Sequence, residues 1–348
     1  MDPVTHFMTG AVLARTGFNR KAAYATLAMT LAAEAPDLDV LWGFKGPVAA
    51  FEHHRGWTHT LVGVPIEAAV VIGVVWAGHR LLGKHRRKPS PAPIRWKLLY
   101  FFSLIALLSH LLLDWTNNYG LRPFFPFNPR WYAGSFVSIF EPVMFLLLLM
   151  ALVAPSLFGL VSSEVGARKQ AFRGRGWAIA ALAGIVALWG WRAWERQKAL
   201  ALASAADYGD AQVVRVWADP YAVNPFRWQT IAETPTTFHV AMVNTRSGEV
   251  DSNAQADVFY KPPTTLATLV AKRSWLGQAY LDWSKQFTLV TDTGVNPDGL
   301  TVVTFRDLRF VHAAPPIGRS DRIPLSGAVY VNDDRRVDHM EMDGFVQR

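Results

Sequence analysis

The amino-acid sequence predicts a polytopic α-helical membrane domain of about six helices, the first two short, followed by a small α+β domain. Two observations support this fold class. Hydrophobic residues make up 51% of the 348 residues, and the long apolar runs are confined to roughly the first 200 positions. The later part of the chain reads as ordinary soluble protein, with short strand-like segments between turns. We therefore expect a helical membrane domain over residues 1–200 and a soluble α+β domain over residues 201–348.

Six apolar segments carry the membrane prediction. A helix needs about 20 apolar residues to cross the hydrocarbon core of a bilayer. Four segments reach or approach that length: Leu61–Leu82, Leu98–Trp115, Phe136–Leu160 and Trp177–Trp194. Two shorter ones precede them, Val4–Arg15 and Ala22–Ala35. We expect these two to form a helical hairpin, either buried by its neighbours or crossing a thinned part of the bilayer.

Basic residues set the expected orientation, because loops rich in Lys and Arg stay in the cytoplasm. The formal net charge of +8 is concentrated between apolar runs, which argues against nucleic acid as a partner. The basic positions are Arg15, Arg20 and Lys21, then Lys84, His85, Arg86, Arg87, Lys88, Arg95 and Lys97, and finally Arg168, Lys169, Arg173 and Arg175. With all three groups inside, the six segments alternate in direction without contradiction.

This alternation places the N-terminus, residues 36–58, residues 116–135 and everything after about residue 195 outside the cytoplasm. We expect a multi-pass membrane protein, with the lipid bilayer as its partner and the C-terminal domain extracytoplasmic. The chain begins without a basic region followed by an apolar core, so we expect no cleavable signal peptide. Cysteine is absent, which excludes disulfides, thiolate metal sites and a cysteine nucleophile.

Residues with metal-binding side chains recur at the predicted outer ends of the helices. The densest stretch is residues 53–59, with three imidazoles and a guanidinium immediately before an apolar run. Within it His53 is the most dispensable, since two other histidines bracket the loop. The candidate metal ligands are His6, Asp37, Asp39, His54, His59, His110 and Asp114. If those helix ends share one side of the bilayer, these side chains can form a single site.

His110 and Asp114 give this hypothesis its strongest local support. They are four residues apart and therefore share one face of a helix. Ionisable residues within Leu-rich membrane sequence are energetically costly and usually functional. Nitrogen and carboxylate ligands without sulfur suit zinc, and also manganese or iron, and the number of donors allows one or two ions. For any single histidine here, an interfacial or hydrogen-bonded role is the competing interpretation.

Other polar residues of the outer loops are candidates for substrate contacts or catalysis. Arg55, Arg122 and Arg130 can hold a phosphate or carboxylate, since a guanidinium matches both geometries. The alternative for Arg130 is an anchor at the lipid headgroups. Glu141 precedes Pro142 at the start of an apolar run, where it can act as a metal ligand or as a base. It can equally be a first-turn carboxylate that the helix dipole favours.

These motifs together resemble the family of inner-membrane, metal-dependent hydrolases typified by the LexA-regulated YdjM protein. The matching elements are Met1–His6 with Gly10, Pro36–Asp39, His54–His59, and His110–Asp114 with Tyr119 and Gly120. The resemblance implies His6, Asp37, Asp39, His59, His110 and Asp114 as ligands. The His-x-x-x-Asp element is also similar to one in zinc-dependent phospholipase C and related zinc nucleases, which favours phosphoester chemistry. One departure is Glu141-Pro142, where the family pattern has Asp-Pro.

The last 150 residues or so predict a small domain with a mostly antiparallel sheet. Turn residues separate the expected strands, and residues 264–283 have helical spacing. The strands are expected at residues 212–218, 228–233, 236–243, 287–291, 300–305 and 328–331. His239, His312 and His339 are isolated histidines, so we expect no independent catalytic group here.

The sequence therefore favours a membrane-bound hydrolase that uses a metal-activated water, acting on a phosphoester or lipid-like substrate at the outer face. A lipid or lipid-phosphate would enter from the bilayer. The alternatives are a non-catalytic membrane protein with a structural metal site, or a transporter. A transport path places charges near the middle of helices, and the centres of Leu61–Leu82 and Phe136–Leu160 are nearly free of charge.

Overall fold

The structure is a computed structural model that describes residues 1–82, 91–164, 172–209, 212–252, 257–311 and 323–347. The basic residues at 84–88 and 168–169, and His312, lie outside the described residues. The chain forms two compact units. Unit 1 contains Met1–Leu38 and Arg55–Arg192, and unit 2 contains Asp39–His54 and Ala193–Arg348. The division predicted at residue 200 stays a prediction.

The chain begins with the expected short helices. Asp2 caps the first helix by accepting a hydrogen bond from the backbone N–H of Thr5 at 2.9 Å, and Pro3 occupies its first turn. The helices are α1 (Pro3–Leu13), a π-helical turn at Ala14–Phe18, α2 (Asn19–Lys21) and α3 (Ala25–Glu34). Residues 36–58, expected as a loop, contain a 3-10 helix at Ala35–Lys45 and a helix α4 (Pro47–His53).

Four long apolar helices follow, and each is long enough to cross a membrane. They are α5 (Gly63–Leu82), α6 (Trp96–Thr116), α7 (Pro142–Glu164) and α8 (Arg175–Ala205). All four correspond to predicted runs. The third was expected from Phe136 but begins at Pro142, because the preceding residues fold back on the end of α6. The backbone N–H groups of Phe136 and Val137 both donate to the carbonyl of Thr116 at 3.1 Å.

Helix α5 shows how these helices divide their surfaces. Val64, Ala68, Val71 and Val75 are buried and form one stripe at helical spacing. Large apolar residues are exposed elsewhere on the helix, as are comparable residues on the other long helices. A helix that is apolar on both its packed and its exposed faces is suited to lipid rather than to water.

The hairpin packs closely because α1 presents a glycine to α3. A Cβ atom placed on Gly10 would lie 2.5 Å from the carbonyl oxygen of Met29 and 2.8 Å from Cβ of Ala33. Small residues allow helix backbones in membranes to approach in this way. The same hairpin contacts α7 through Arg15, which donates to the carbonyls of Ala151 and Leu152 at 3.2 and 2.7 Å. Pro155 has no N–H for the carbonyl of Ala151, so Arg15 satisfies an oxygen that the helix leaves unpaired.

Unit 2 is rich in β-structure. Its described strands are β1 (Arg215–Pro220), β2 (Arg227–Glu233), β3 (Thr237–Asn244), β4 (Glu249–Asp251), β5 (Val258–Tyr260), β6 (Thr288–Val295), β7 (Thr301–Asp307), β8 (Gly327–Val331), β9 (Val337–Met342) and β10 (Phe345–Gln347). The first five form one antiparallel sheet in which β3 pairs with both β4 and β5. The other five form a second antiparallel sheet in the order β10-β9-β8-β7-β6.

Two helices connect the sheets of unit 2, α9 (Leu266–Arg273) and α10 (Trp275–Ser284). The sequence predicted one helical stretch over residues 264–283. It is divided at Ser274, whose extended backbone ends α9 and whose side chain caps α10 by accepting from the N–H of Gly277. The six predicted strands are all present, and the four additional strands are β4, β5, β9 and β10.

Candidate metal centre

Helix α6 places His110 and Asp114 on the buried side of unit 1. Its buried residues follow helical spacing from Leu99 through Phe102 and Ala106 to His110 and Asp114. Both ionisable side chains are fully buried. The apolar stripe that packs the helix therefore also directs the imidazole and the carboxylate into the interior, at the C-terminal end of the helix.

Four side chains from separate parts of unit 1 meet at this point: Asp37, His59, His110 and Asp114. One donor atom from each lies within 4.8 Å of the other three. The Nε2 atoms of His59 and His110 are 3.1 Å apart, and each lies 3.3–3.6 Å from Oδ1 of Asp37 and Oδ2 of Asp114. In a tetrahedral zinc site with bonds of about 2.0–2.1 Å, neighbouring ligand atoms are about 3.3–3.4 Å apart. The distances that involve the two histidines are therefore close to those of a single tetrahedral centre, and the two carboxylate oxygens lie within 4.8 Å of each other.

The second nitrogen of each histidine has its own partner, as in most metal sites. Nδ1 of His110 donates to the carbonyl of Ala33 at 2.7 Å, and a carbonyl can only accept. Nε2 of His110 is then available as a metal ligand in the neutral ring. Nδ1 of His59 lies 3.0 Å from the hydroxyl of the adjacent Thr58. Both rings are thus held with Nε2 directed at the cluster.

Arg55 fixes the orientation of Asp114. Its guanidinium donates to Oδ1 of that carboxylate at 2.8 Å, and also to the carbonyl of Gly120 at 2.8 Å and the side chain of Asn117 at 3.2 Å. Arg55 is itself buried, with its guanidinium 4.9 Å from the ring of Tyr119. Gly120 has φ +80°, a conformation that favours glycine and that turns its carbonyl toward Arg55. The contacts of Arg55 support a positioning role, and its predicted catalytic role stays a prediction.

Asp37 is the member of the cluster that retains solvent access, with 19% of its side chain exposed. Burial alone would raise the pKa of this carboxyl, but the hydrogen bond from His59 and the nearby His110 together hold its pKa below the usual range. Its Oδ2 is buried and has no hydrogen-bond partner in the described part of the chain. An ionised carboxylate with an unsatisfied buried oxygen fits a cation at this position.

His6 lies against the cluster, as the sequence predicted for a residue in the first turn of α1. Its ring stacks on that of His110 with centroids 3.7 Å apart, and its Nε2 is 3.3 Å from Oδ1 of Asp114. The ring is fully buried and its Nδ1 has no partner among the described residues. His6 is thus a candidate fifth donor beside the four, although its Nε2 also lies 3.0 Å from the amino group of Met1.

Asp39 and His54, also predicted as ligands, belong to unit 2 and contact each other. Nδ1 of His54 is 3.4 Å from Oδ1 of Asp39. Asp39 is buried, whereas 40% of the His54 side chain is exposed. His53, which the sequence marked as dispensable, stacks on Trp42 with ring centroids 3.8 Å apart. The role of Asp39 and His54 as ligands stays a prediction.

Glu141 is buried immediately before α7. Its Oε2 lies 3.8 Å from a guanidinium nitrogen of Arg192, and a backbone hydrogen bond from Val143 reaches the same side chain. Burial raises the pKa of Glu141, and the charge of Arg192 opposes that rise. A carboxylate bonded to the N–H two residues further on caps the helix, which is the structural alternative that the sequence left open. It is not one of the four residues whose donor atoms converge.

Arg122 and Arg130, the predicted substrate contacts, lie in the loop between α6 and α7. The guanidinium of Arg122 is 4.7 Å from the ring centroid of Phe125 and 5.1 Å from that of Trp131. Arg130 is exposed and lies over Tyr132 at 5.5 Å. Both arginines therefore have aromatic neighbours, and whether either binds substrate stays a prediction.

Sequence reasoning missed several groups that support the site. The sequence gives no signal for the carbonyl of Ala33 or the amide of Asn117. The first accepts a hydrogen bond from His110 and the second from Arg55, so neither would contact an ion directly. Glu34, the last residue of α3, is a further acidic side chain that the sequence reasoning did not single out. Its Oε2 is buried without a hydrogen-bond partner in the part of the chain that the structure describes. The sequence feature that could have identified Glu34 is its position three residues before Asp37 in an Ala-rich helix.

A comparison with known protein families identifies the family of this chain. Residues 1–199 match the family model described as YdjM inner membrane protein, which is more than half of the 348 residues. The chain belongs to the YdjM family. The matched range contains all of unit 1 and the four converging residues. The resemblance read from the sequence motifs is therefore confirmed, and the chain is a member of an inner membrane family.

One curated relative of this YdjM family member is a protein of Bacillus subtilis (strain 168) named "Uncharacterized protein YfhP". It is 26% identical over 154 residues, which cover 42% of this chain and 43% of the relative. The chain thus spans less than half the length of that relative. No solved structure matches the chain.

Proposed function

We propose that this protein is a membrane-bound, metal-dependent hydrolase that acts on a phosphoester or lipid-like substrate. The observation that carries the proposal is the convergence of Asp37, His59, His110 and Asp114 at the spacing of a tetrahedral metal site. Two imidazoles and two carboxylates without sulfur suit zinc, and also manganese or iron. His6 and the partly exposed side of Asp37 leave room for additional coordination.

Asp37, His59, His110 and Asp114 would hold the divalent ion, which when bound would supply an activated water of pKa about 7 and a Lewis acid for an ester oxygen. The protein supplies the rest. Arg55 holds Asp114, and Ala33 holds His110, so the donors are arranged before a substrate arrives. Asp37 is the accessible edge of the cluster and sets the direction from which a substrate approaches.

A lipid-like substrate is supported by apolar side chains next to the ligands in the sequence. Val4 and Phe7 flank His6 and are 54% and 52% exposed. Leu38 follows Asp37 and is 59% exposed, and Trp57, two residues before His59, is 56% exposed. Exposed apolar groups beside a buried polar cluster fit a molecule with an acyl chain and a polar headgroup.

The site is proposed to face the extracytoplasmic side of the membrane. The ligands occupy the N-terminal end of α1, the segments after α3 and before α5, and the C-terminal end of α6. Successive antiparallel spans bring these ends together on one side. Arg15, Arg20 and Lys21 follow the other end of α1, which the positive-inside rule assigns to the cytoplasm. The same alternation puts the residues after α8 outside.

A structural metal is the second candidate, because His59, His110 and Asp114 are fully buried. Structural zinc sites are closed, whereas catalytic ones keep a position for water or substrate. The solvent access at Asp37 favours a catalytic site. An activity assay distinguishes a catalytic metal from a structural one. Purified full-length protein should hydrolyse phospholipids or lipid phosphates, lose this activity with a chelator and regain it with zinc or manganese.

The matched variants are Asp37→Asn, which should abolish turnover, and Asp298→Asn, an exposed turn residue in unit 2, which should not. Tightly bound metal without turnover on any of these substrates would replace the hydrolase with the structural alternative.

A further inference from the structure

Unit 2 contains a groove of about 660 Å³, defined here as the basic groove, that has no part in the metal site. Strands β1, β2, β3 and β6 and helices α9 and α10 contribute to its lining. Its charged residues are Arg215, Glu233, Lys261, Lys272 and Lys285. The volume is in the range of small-molecule sites, which is roughly 300–1,000 Å³.

The charges in the basic groove are unbalanced. Four cations face one carboxylate, and that carboxylate is already shared. Glu233 accepts from Arg215 at 2.7 Å and from Lys261 at 2.9 Å. Burial acts to raise the pKa of Glu233, but the hydrogen bonds from Lys261 and Arg215 hold it below its usual value, so the pair-forming carboxylate is ionised.

Lys272 and Lys285 have no carboxylate within ion-pair distance among the described residues. Lys272 is half-buried near the end of α9, and Lys285 is exposed directly after α10. Both lysines line the same groove as Arg215 and Lys261, so like charges are gathered there and a bound anion would reduce their repulsion. After the charge of Glu233 is subtracted from that of the four cations, the groove keeps an excess of positive charge. A ligand with more than one negative charge would balance this excess.

Most of the uncharged lining is apolar, including Phe238, Leu281 and Leu289, and Gln286 and Thr288 add polar groups. Pro262 and Pro263 form part of the same wall. A bare inorganic ion would leave this surface unused, whereas a molecule with a carbon framework would cover it.

We propose that the basic groove binds a phosphate-bearing molecule, with the phosphate between Lys272 and Lys285 and its organic part against Phe238 and Leu289. A phosphate monoester matches the excess of cations better than a single carboxylate does, because it carries close to two negative charges at neutral pH. The headgroup of an anionic lipid and a free sugar or glycerol phosphate share this chemistry. The site lies within unit 2 and does not depend on the metal centre or on hydrolase activity.

The test is calorimetric titration of the full-length protein in a neutral detergent with inorganic phosphate, glycerol 3-phosphate and dihexanoyl phosphatidic acid. The two organic phosphates should bind more tightly than inorganic phosphate. Preference for the lipid identifies a headgroup ligand, and equal affinity identifies a free phosphomonoester. Added salt should weaken all three, since the attraction is between charges.

The double variant Lys272→Gln/Lys285→Gln should weaken binding of the organic phosphates by about tenfold or more, the scale of one lost charge-assisted hydrogen bond. The matched control is Arg273→Gln, an exposed cation on the same helix that does not line the groove. The charge-preserving Lys272→Arg/Lys285→Arg variant should retain binding and guards against a folding defect. Absence of binding by the wild type, or equal losses in the double variant and in Arg273→Gln, would overturn the proposal.

Discussion

Arg55 donates to Oδ1 of Asp114 at 2.8 Å, while Oδ2 of the same carboxylate lies 3.3 Å from Nε2 of His59. Oδ1 of Asp114 is thus shared by the buried guanidinium, the amino group of Met1 and His6, whereas Oδ2 faces His59 and His110. Breaking a buried charge pair leaves an uncompensated charge and is strongly unfavourable. Arg55 thus pairs with a buried carboxylate and helps to aim it at the position where a cation would bind.

Substitution of His110 should remove the metal. His110→Ala deletes one of four converging donors and should lower the metal content of the purified protein well below that of the wild type, as measured by elemental analysis. His79→Ala is the matched control, because His79 lies in α5, contacts the hydroxyl of Tyr24 at 3.0 Å and should leave the metal in place. Equal metal in His110→Ala and wild type would count against the site.

Arg55→Lys should weaken metal binding while the four donors stay intact. Lysine keeps the charge but has a single nitrogen, whereas Arg55 uses one guanidinium nitrogen for Asp114 and the other for Asn117 and Gly120. Loss of such a supporting contact costs roughly 10- to 100-fold in metal affinity. Competition with a chelator of known affinity measures the change, and Arg130→Lys at the exposed loop is the control. If Arg55→Lys bound metal normally and lost only turnover, the predicted catalytic role would be favoured instead.

Gly10→Ala should destabilise the protein although alanine is the better helix former. The added methyl would meet the backbone of Met29 and the side chain of Ala33, and overpacking of this kind costs about 1–3 kcal/mol. Gly73→Ala in α5 is the control, since no atom lies within 4 Å of the added Cβ. Thermal unfolding in detergent should show a lower melting temperature for Gly10→Ala only. Equal melting temperatures would mean that α1 and α3 are not closely packed.

The sequence predicted the four long helices well, because an apolar run of about 20 residues matches the length of a membrane-spanning helix. Its errors lie at boundaries where tertiary contacts decide. The helix expected from Phe136 starts at Pro142, since Thr116 at the end of α6 binds the intervening backbone. The segment at residues 264–283 has one helical period throughout, and only the cap formed by Ser274 shows that it contains two helices.

The site was predictable to the extent that its ligands carry a sequence pattern. His110 and Asp114 share a helix face by spacing alone, and both lie in the cluster. Arg55 was grouped with substrate-binding arginines because its position next to candidate ligands does not reveal that it points at Asp114. Asp39 resembles Asp37 in sequence, yet its contact is with His54. Two residues along a 3-10 helix project in different directions, which a motif does not show.

The absence of cysteine makes the membrane orientation directly testable. Asn128→Cys introduces a thiol at an exposed position of the loop between α6 and α7. Ile94→Cys introduces one at an exposed position just before α6 and leaves every basic residue in place. With the proposed orientation, a membrane-impermeant maleimide should label Asn128→Cys in intact bacteria or spheroplasts, and Ile94→Cys only after lysis. The reverse pattern would put the metal cluster on the cytoplasmic side.

Unit 2 should become less stable as the pH rises, because of Asp219. This residue is 3% exposed, and Nε1 of Trp217 donates to its Oδ1 at 2.9 Å. Burial raises the pKa of Asp219 to about 7, although Arg309 opposes the rise. Arg309 is already paired with Asp307 at 2.6 Å. An acid whose pKa is higher in the folded state contributes stability that is complete below about pH 4 and is lost as the pH rises through about 7.

Asp219→Asn should remove this dependence, since asparagine keeps an oxygen for Trp217 and carries no charge. The melting temperature of the full-length variant should approach or fall below that of the wild type at pH 5 and exceed it at pH 8. The difference between the two pH values should amount to no more than a few kcal/mol, given about 1.4 kcal/mol per unit of pKa shift. Asp334→Asn, at an exposed turn, should follow the wild type at both pH values. The prediction would be wrong if the melting temperatures of Asp219→Asn and wild type differed by the same amount at pH 5 and pH 8. The carboxyl of Asp219 would then not be the cause of the pH dependence.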